Sequence, residues 1–163
     1  MVAVLPGVEQ QAVAAVGHGV RARLGGRQAV HGRGGREQRG DGQDAERFNL
    51  LHPTETPRVA YVTEQLAAHA GPVVASTDYM KNYAEQIRAF IPKGRSYKVL
   101  GTDGFGRSDF RFKLREHFEV NRHYVVVAAL KALADEGVVP ARTVADAIAK
   151  YGINADKINP LYA

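Results

Sequence analysis

The feature that most constrains this chain is a change of character near residue 40. The first 40 residues hold nine glycines, no aromatic residue, and six arginines as their only basic residues. From Gln28 to Gly40 the text QAVHGRGGREQRG repeats at neither 2 nor 3.6 residues, so it offers no face to bury. A packed core must therefore be built from residues 41–163, where Tyr, Phe and legible helix caps first appear. The charge divides along the same line: of the net +5, residues 1–40 carry +4 and the rest +1. A nucleic-acid reading based on overall charge is thus a reading of that first segment alone.

A flexible Arg/Gly arm on a polyanion would use Arg21, Arg23, Arg27, Arg33, Arg36 and Arg39. Such arms interleave aromatics for stacking, and none is present, so nucleic acid is disfavoured as a partner and an ordinary disordered tail is the better reading. Val2–Leu5 and Ala12–Val16 are apolar but lack the flanks of a signal peptide. No apolar run nears the ~20 residues of a membrane span, so no membrane partner is expected. The absence of cysteine excludes disulfide scaffolds, thiolate metal sites and cysteine nucleophiles, and fits a cytoplasmic location.

Beyond residue 40 the punctuation is readable. A short helix is expected over Asp41–Leu51, stopped by Pro53, and a second from the Thr56-Pro57 cap to His69, with Val59, Val62 and Leu66 inward. Val73–Ser76 and Tyr97–Leu100 suit buried strands. Between them Met80, Tyr83, Ala84, Ile87 and Ile91 share the face of a helix capped by Thr77 or Asp78 and ended at Pro92-Lys93-Gly94. Ser108 is expected to cap a helix from Asp109 to Phe118, Asn121 one from Arg122 to Glu136, and Pro140 to open a last helix ending at Gly152. The class is α/β, helix-rich, with two parallel strands joined by a helical crossover. Sheets of this class usually have about five strands, so this one is incomplete.

Gly101–Asp109, a Gly-rich loop leaving a strand and entering a helix, is the most site-like stretch. Asp103, Arg107, Ser108 and Asp109 are its ligand candidates, with Arg107 and free N–H groups able to meet an anion. The competing and favoured reading is structural: a tight turn, Phe105 plugging the core and Ser108 capping. Gly40-Asp41-Gly42 imitates the opening of an Mg²⁺–thiamine diphosphate motif, but no strand precedes it and Asn49 follows too soon. The six histidines lack zinc-ligand spacing, with His117 and His123 read as solvated helix ends, and no Gly-x-Ser-x-Gly elbow exists. The residue types alone reveal no catalytic, cofactor-binding or metal-binding constellation.

Residues 41–163 closely resemble the C-terminal end of the homodimeric, thiamine-diphosphate-dependent pyruvate dehydrogenase (acetyl-transferring) family. The resemblance rests on DGQDAERFNLLHPTETPRV (41–59), VVASTDYMKNYAEQIRAFIP (73–92), YKVLGTDGFGRSD (97–109), HFEV (117–120), YVVVAALKALADEG (124–137) and VADAIAKYGINADKINP (144–160). The FGRSD element is similar to the FGxS of transketolase-like C-terminal domains.

The resemblance implies a Rossmann-like three-layer α/β/α domain that helps build a homodimer. It implies thiamine diphosphate and Mg²⁺ in the full-length enzyme, held by other domains, and none bound by these residues. It also implies a lipoyl acetyltransferase as partner. In the family, residues before DGQDAERF supply two strands and a helix. Residues 1–40 do not read like them, and are expected to be a frame-shifted or wrongly started translation of GC-rich DNA, whose signature is excess Arg and Gly without Lys. The expected role is structural and dimer-forming, with no activity in isolation and an aggregation-prone, partly molten chain. The alternatives are a module docking on the acetyltransferase core and an Arg/Gly nucleic-acid binder.

Overall fold

The computed structural model describes residues 35–67 and 69–163. The expectations for the Arg/Gly segment before residue 35 lie outside the described residues. In chain order the elements are α1 (Gly35–Leu51), α2 (Tyr61–Ala67), β1 (Val73–Ser76), α3 (Lys81–Glu85), a 3-10 turn (Arg88–Phe90), β2 (Tyr97–Leu100), α4 (Arg111–His117), α5 (Arg122–Asp135) and α6 (Ala141–Lys150). Strands β1 and β2 pair in parallel, Val73 opposite Tyr97 and Ser76 opposite Leu100, as the crossover reading requires. No helix among the described residues is long and apolar enough to cross a membrane.

Burial explains the strand composition. Val73, Val74 and Ala75 are fully buried, so β1 is apolar on both faces, the pattern of a parallel strand covered on both sides. Val73, Ala75 and Tyr97 join Val62 and Leu66 of α2, Phe90 of the 3-10 turn, and Ile87 and Ile91 in one cluster. Helix α5 packs on both strands, and Leu130 with Val144 and Ala147 of α6 forms a second cluster. Helices α1 and α2 are fastened by polar contacts as well as burial. Asn49 donates to the Arg58 carbonyl at 3.0 Å and accepts from its N–H at 2.7 Å, while the Arg58 guanidinium lies 3.6 Å over the Phe48 ring. Arg95, from the far side of the crossover, donates to the carbonyls of Leu66 and Gly71 at 2.9 and 2.7 Å, satisfying the C-terminal end of α2.

Four helix boundaries differ from the sequence expectation: α1 begins at Gly35 rather than Asp41, inside the stretch read as having no helical period, and three others differ for tertiary reasons. Helix α2 starts at Tyr61 rather than Pro57 because a carboxylate oxygen of Asp41 takes the Tyr61 N–H at 2.6 Å, a cap supplied from 20 residues upstream. The expected long helix before Ile91 is broken into α3 and the 3-10 turn. The Tyr97 hydroxyl donates to the Ala84 carbonyl at 2.8 Å, and the Ile87 N–H reaches that carbonyl in the tighter i+3 pattern. Ile87 and Ile91 are buried as expected, whereas Met80 is exposed. Helix α4 begins at Arg111, with Phe110 in the cap position. Ser108 is therefore not its cap, and the Asp109 carboxylate takes the neighbouring Phe110 N–H at 2.6 Å.

The three last helices share one termination. In each, the N–H two residues past the cap bonds back five residues: Val120 to Arg115, Val138 to Leu133 and Ile153 to Ile148. Gly137 and Gly152 occupy the left-handed position after α5 and α6, at φ +74° and +62°. After α4 that position falls to Glu119, at φ +61°. Its strain is accepted because Lys157 Nζ crosses over to bond the carbonyls of Glu116 and His117. The expected Asn121 cap is present, its side-chain oxygen accepting from the N–H groups of His123 and Tyr124.

Candidate anion-binding loop

The loop leaving β2 is pinned at two places. A Cβ at Gly101 would sit 2.7 Å from the Tyr79 carbonyl oxygen, so only glycine lets the chain pass so close to the β1–α3 connection. At Gly104, with φ +106°, a Cβ would lie 2.4 Å from the Pro160 carbonyl oxygen, which seats the loop against the C-terminal tail. Between them Thr102 donates to the Tyr79 carbonyl at 2.9 Å, and the Asp103 carboxylate takes the Lys81 N–H at 2.8 Å. Asp103 is thus spent on starting α3, and it lies outside the clefts described next.

After Gly104 the chain runs outward. Phe105 is 79% exposed, contrary to the expected core plug, because the pin at Gly104 directs the next residues away from the sheet. Arg107, Ser108 and Asp109 line an open cleft of about 470 Å³ together with Lys113, Leu114 and His117. A second cleft of about 350 Å³ lies across α4, bounded by His117, Asn121, His123, Tyr124, Tyr151 and Lys157 among others. Helix α4, the wall between them, is tied to the β1–α3 turn by the Arg115–Asp78 ion pair at 2.5 Å. Three of the four candidate residues therefore come together, and Asp103 does not.

His117, read from sequence as a solvated helix end, borders both clefts. Its Nε2 is buried and makes no hydrogen bond, and the ring meets Phe118 edge-on at 4.8 Å between centroids. Burial first, then the positive charges of Arg107 and Lys157, push its pKa down against the opposing pull of Glu119. These influences favour the neutral ring over the charged one. No spacing signal could have marked this residue, since Lys157 approaches it from 40 residues downstream. His123 is also no free helix end, because its ring stacks on Tyr151 at 4.5 Å.

The loop and α4 thus bring Arg107, Ser108, Asp109, Lys113 and His117 to one cleft. Among the described residues, no three His, Asp or Glu side chains come together as metal ligands. Asp41 and Asn49, the imitation of an Mg²⁺ motif, spend an oxygen each on the N–H groups of Tyr61 and Arg58. These residues do not fit an Mg²⁺–thiamine diphosphate site.

Comparison with known proteins places this architecture. Residues 38–121 match the family model of the transketolase-like TK C-terminal domain. The chain is 67% identical over 123 residues to the pyruvate dehydrogenase E1 component of Haemophilus influenzae, covering 76% of this chain and 14% of that protein. It is 62% identical over 125 residues to the Pseudomonas aeruginosa protein of the same name, covering 77% and 14%. For the Escherichia coli K12 protein the identity is 59% over 123 residues, covering 76% and 14%. The chain thus spans about 14% of the length of these relatives. With more than half its residues under the family model, and a small parallel sheet wrapped in helices, the chain belongs to the transketolase-like C-terminal domain family, in the form found in pyruvate dehydrogenase E1 components.

Proposed function

We propose that residues 41–163 are the dimer-building C-terminal domain of a cytoplasmic enzyme that oxidatively decarboxylates pyruvate and passes the acetyl unit to a lipoyl group, and that they do no chemistry alone. The observation that carries this reading is an exposed apolar face beside the pinned loop. Phe105, Phe110, Phe112 and Tyr162 are each more than 60% exposed, and the Gly104–Pro160 contact holds the loop against the tail that carries Leu161 and Tyr162. Large aromatics each carry roughly 150–250 Å², so the exposed parts of these four supply about half or more of the ~800 Å² per partner found in stable interfaces. The occupant we assign is the second subunit of a homodimer. Thiamine diphosphate and Mg²⁺ fall to other parts of the full-length enzyme, and the lipoyl acetyltransferase is the downstream partner. Similarity to an enzyme component over 76% of the chain favours this over a free-standing docking module or an Arg/Gly nucleic-acid binder.

We also take the family's sequence to begin near Asp41, with residues 1–40 a frame-shifted or wrongly started translation. The other two reading frames of the coding DNA should then contain a Rossmann-type strand and helix, and their absence would remove that assignment. For the interface, sedimentation velocity of the chain should show a dimer that Phe110→Asp with Phe112→Asp converts to monomer. A wild-type chain that stays monomeric at all concentrations would contradict the proposed role.

A further inference from the structure

We propose that the cleft beside the 101–110 loop binds a small phosphate-type oxyanion, held by Arg107, Ser108, Lys113 and the His117 ring. This goes beyond the scaffold role, but the cleft shares the 105–112 segment with the proposed dimer face, so the binding is measured below the concentration at which the chain dimerises. Arg107 and Ser108 are exposed and make no ion pair or hydrogen bond among the described residues. Lys113 meets Glu116 at 3.8 Å, both side chains more than half exposed, and the Phe112 ring at 5.7 Å, exposed contacts that water and salt weaken. The one acid of the cleft, Asp109, already accepts the Phe110 N–H. The His117 Nε2 is a buried polar atom with no partner, an arrangement that costs stability until an acceptor arrives.

The donor set selects the ligand. A guanidinium presents a planar fork to two oxygens of one group, a lysine adds a point charge, and a hydroxyl and an imidazole N–H complete a tetrahedral set. Arg107 without a partner and Lys113 weakly held by Glu116 outnumber the one carboxylate of the cleft, Asp109, which favours an anion of higher charge over a monocarboxylate. The cleft volume of about 470 Å³ lies within the range of small-ligand sites and leaves room for a substituent on the phosphate. The charged groups facing His117 are Arg107 and Asp109 from the loop, Lys113 and Glu116 from α4, Glu119 after it, His123 from α5 and Lys157 from the tail. Burial, followed by Arg107 and Lys157, disfavours the charged ring, and a bound dianion opposes the two cations and draws a proton toward the ring.

The test is a proton NMR titration of the histidines in the full 163-residue chain at low ionic strength, with His117→Gln identifying the resonance. Inorganic phosphate should raise the His117 pKa while leaving the other five histidines in place, and acetate at equal concentration should do so far less. Arg107→Gln should weaken phosphate binding by roughly tenfold or more. Arg107→Lys should restore part of it. Equilibrium dialysis with radiolabelled phosphate checks the affinities on the same proteins. An unmoved His117, an equal shift of all six histidines, a stronger response to acetate, or undiminished binding by Arg107→Gln would each overturn the proposal.

Discussion

Gly42 and Gly40 sit two residues apart in α1, and the structure assigns them opposite responses to the same substitution. In an exposed helix, replacing glycine by alanine is worth up to ~1 kcal/mol of helix propensity. At Gly40 nothing lies within 4 Å of the added Cβ, so Gly40→Ala should collect that gain. At Gly42 the new Cβ would stand 2.4 Å from the Phe90 ring. Ordinary carbon contacts lie at about 3.5–4.0 Å, so the ring must move by about an ångström or more. Phe90 cannot move freely, because its ring is buried in the main cluster and its carbonyl accepts the Thr63 hydroxyl at 2.5 Å. Overpacking of this kind costs ~1–3 kcal/mol, which offsets or exceeds the propensity gain. The difference between the two variants isolates the packing term, about 1–3 kcal/mol, or roughly fivefold to 150-fold in an opening equilibrium. Amide hydrogen exchange of α1 and α2 peptides, read by mass spectrometry, measures it without needing a cooperative melt. Equal slowing of exchange in both variants would show that α1 does not dock on Phe90, and the account of how α1 packs on the main cluster would fail.

Three further outcomes follow from particular contacts. Arg95→Ala, which leaves the Gly71 carbonyl without its donor and the Leu66 carbonyl with only the His69 N–H, should destabilise the α2 end by ~1–2 kcal/mol in the same exchange assay, with Arg95→Lys intermediate. Glu119→Gly should stabilise the chain by ~1 kcal/mol in urea unfolding, because glycine occupies the left-handed position after α4 without strain. Tyr97 should not titrate with the exposed tyrosines, since burial, reinforced by Glu85, holds its phenol pKa well above the ordinary value despite the nearby Arg88. Its neutral form is favoured on folding, so its contribution is intact below pH ~10 and is lost as pH rises toward the folded pKa. Tyr97→Phe should remove that alkaline loss, at a cost of ~1 kcal/mol for the bond to Ala84, as checked by unfolding at pH 8 and pH 11.

What the sequence made legible was local. Both strands, the Asn121 cap and the Gly137 and Gly152 stops were visible because neighbouring residues decide them. What it hid was decided by residues far away. Asp41 capping α2, Tyr97 breaking the helix before Ile91, and Arg95 closing α2 reach across 13 to 29 positions, which no window of the text contains. The candidate loop was located, but its parts were mis-sorted. Asp103 turned inward to α3, Phe105 turned outward, and His117 joined the site from a helix that looked solvated. Family membership was legible for a different reason: long ordered matches need no geometry to be recognised.

The central claim is tested most directly by supplying the purified 163-residue chain with pyruvate, thiamine diphosphate and Mg²⁺ and measuring carbon dioxide release with an artificial electron acceptor. A domain that only scaffolds releases none above the protein-free blank. Sustained release that scales with the amount of chain would contradict that reading.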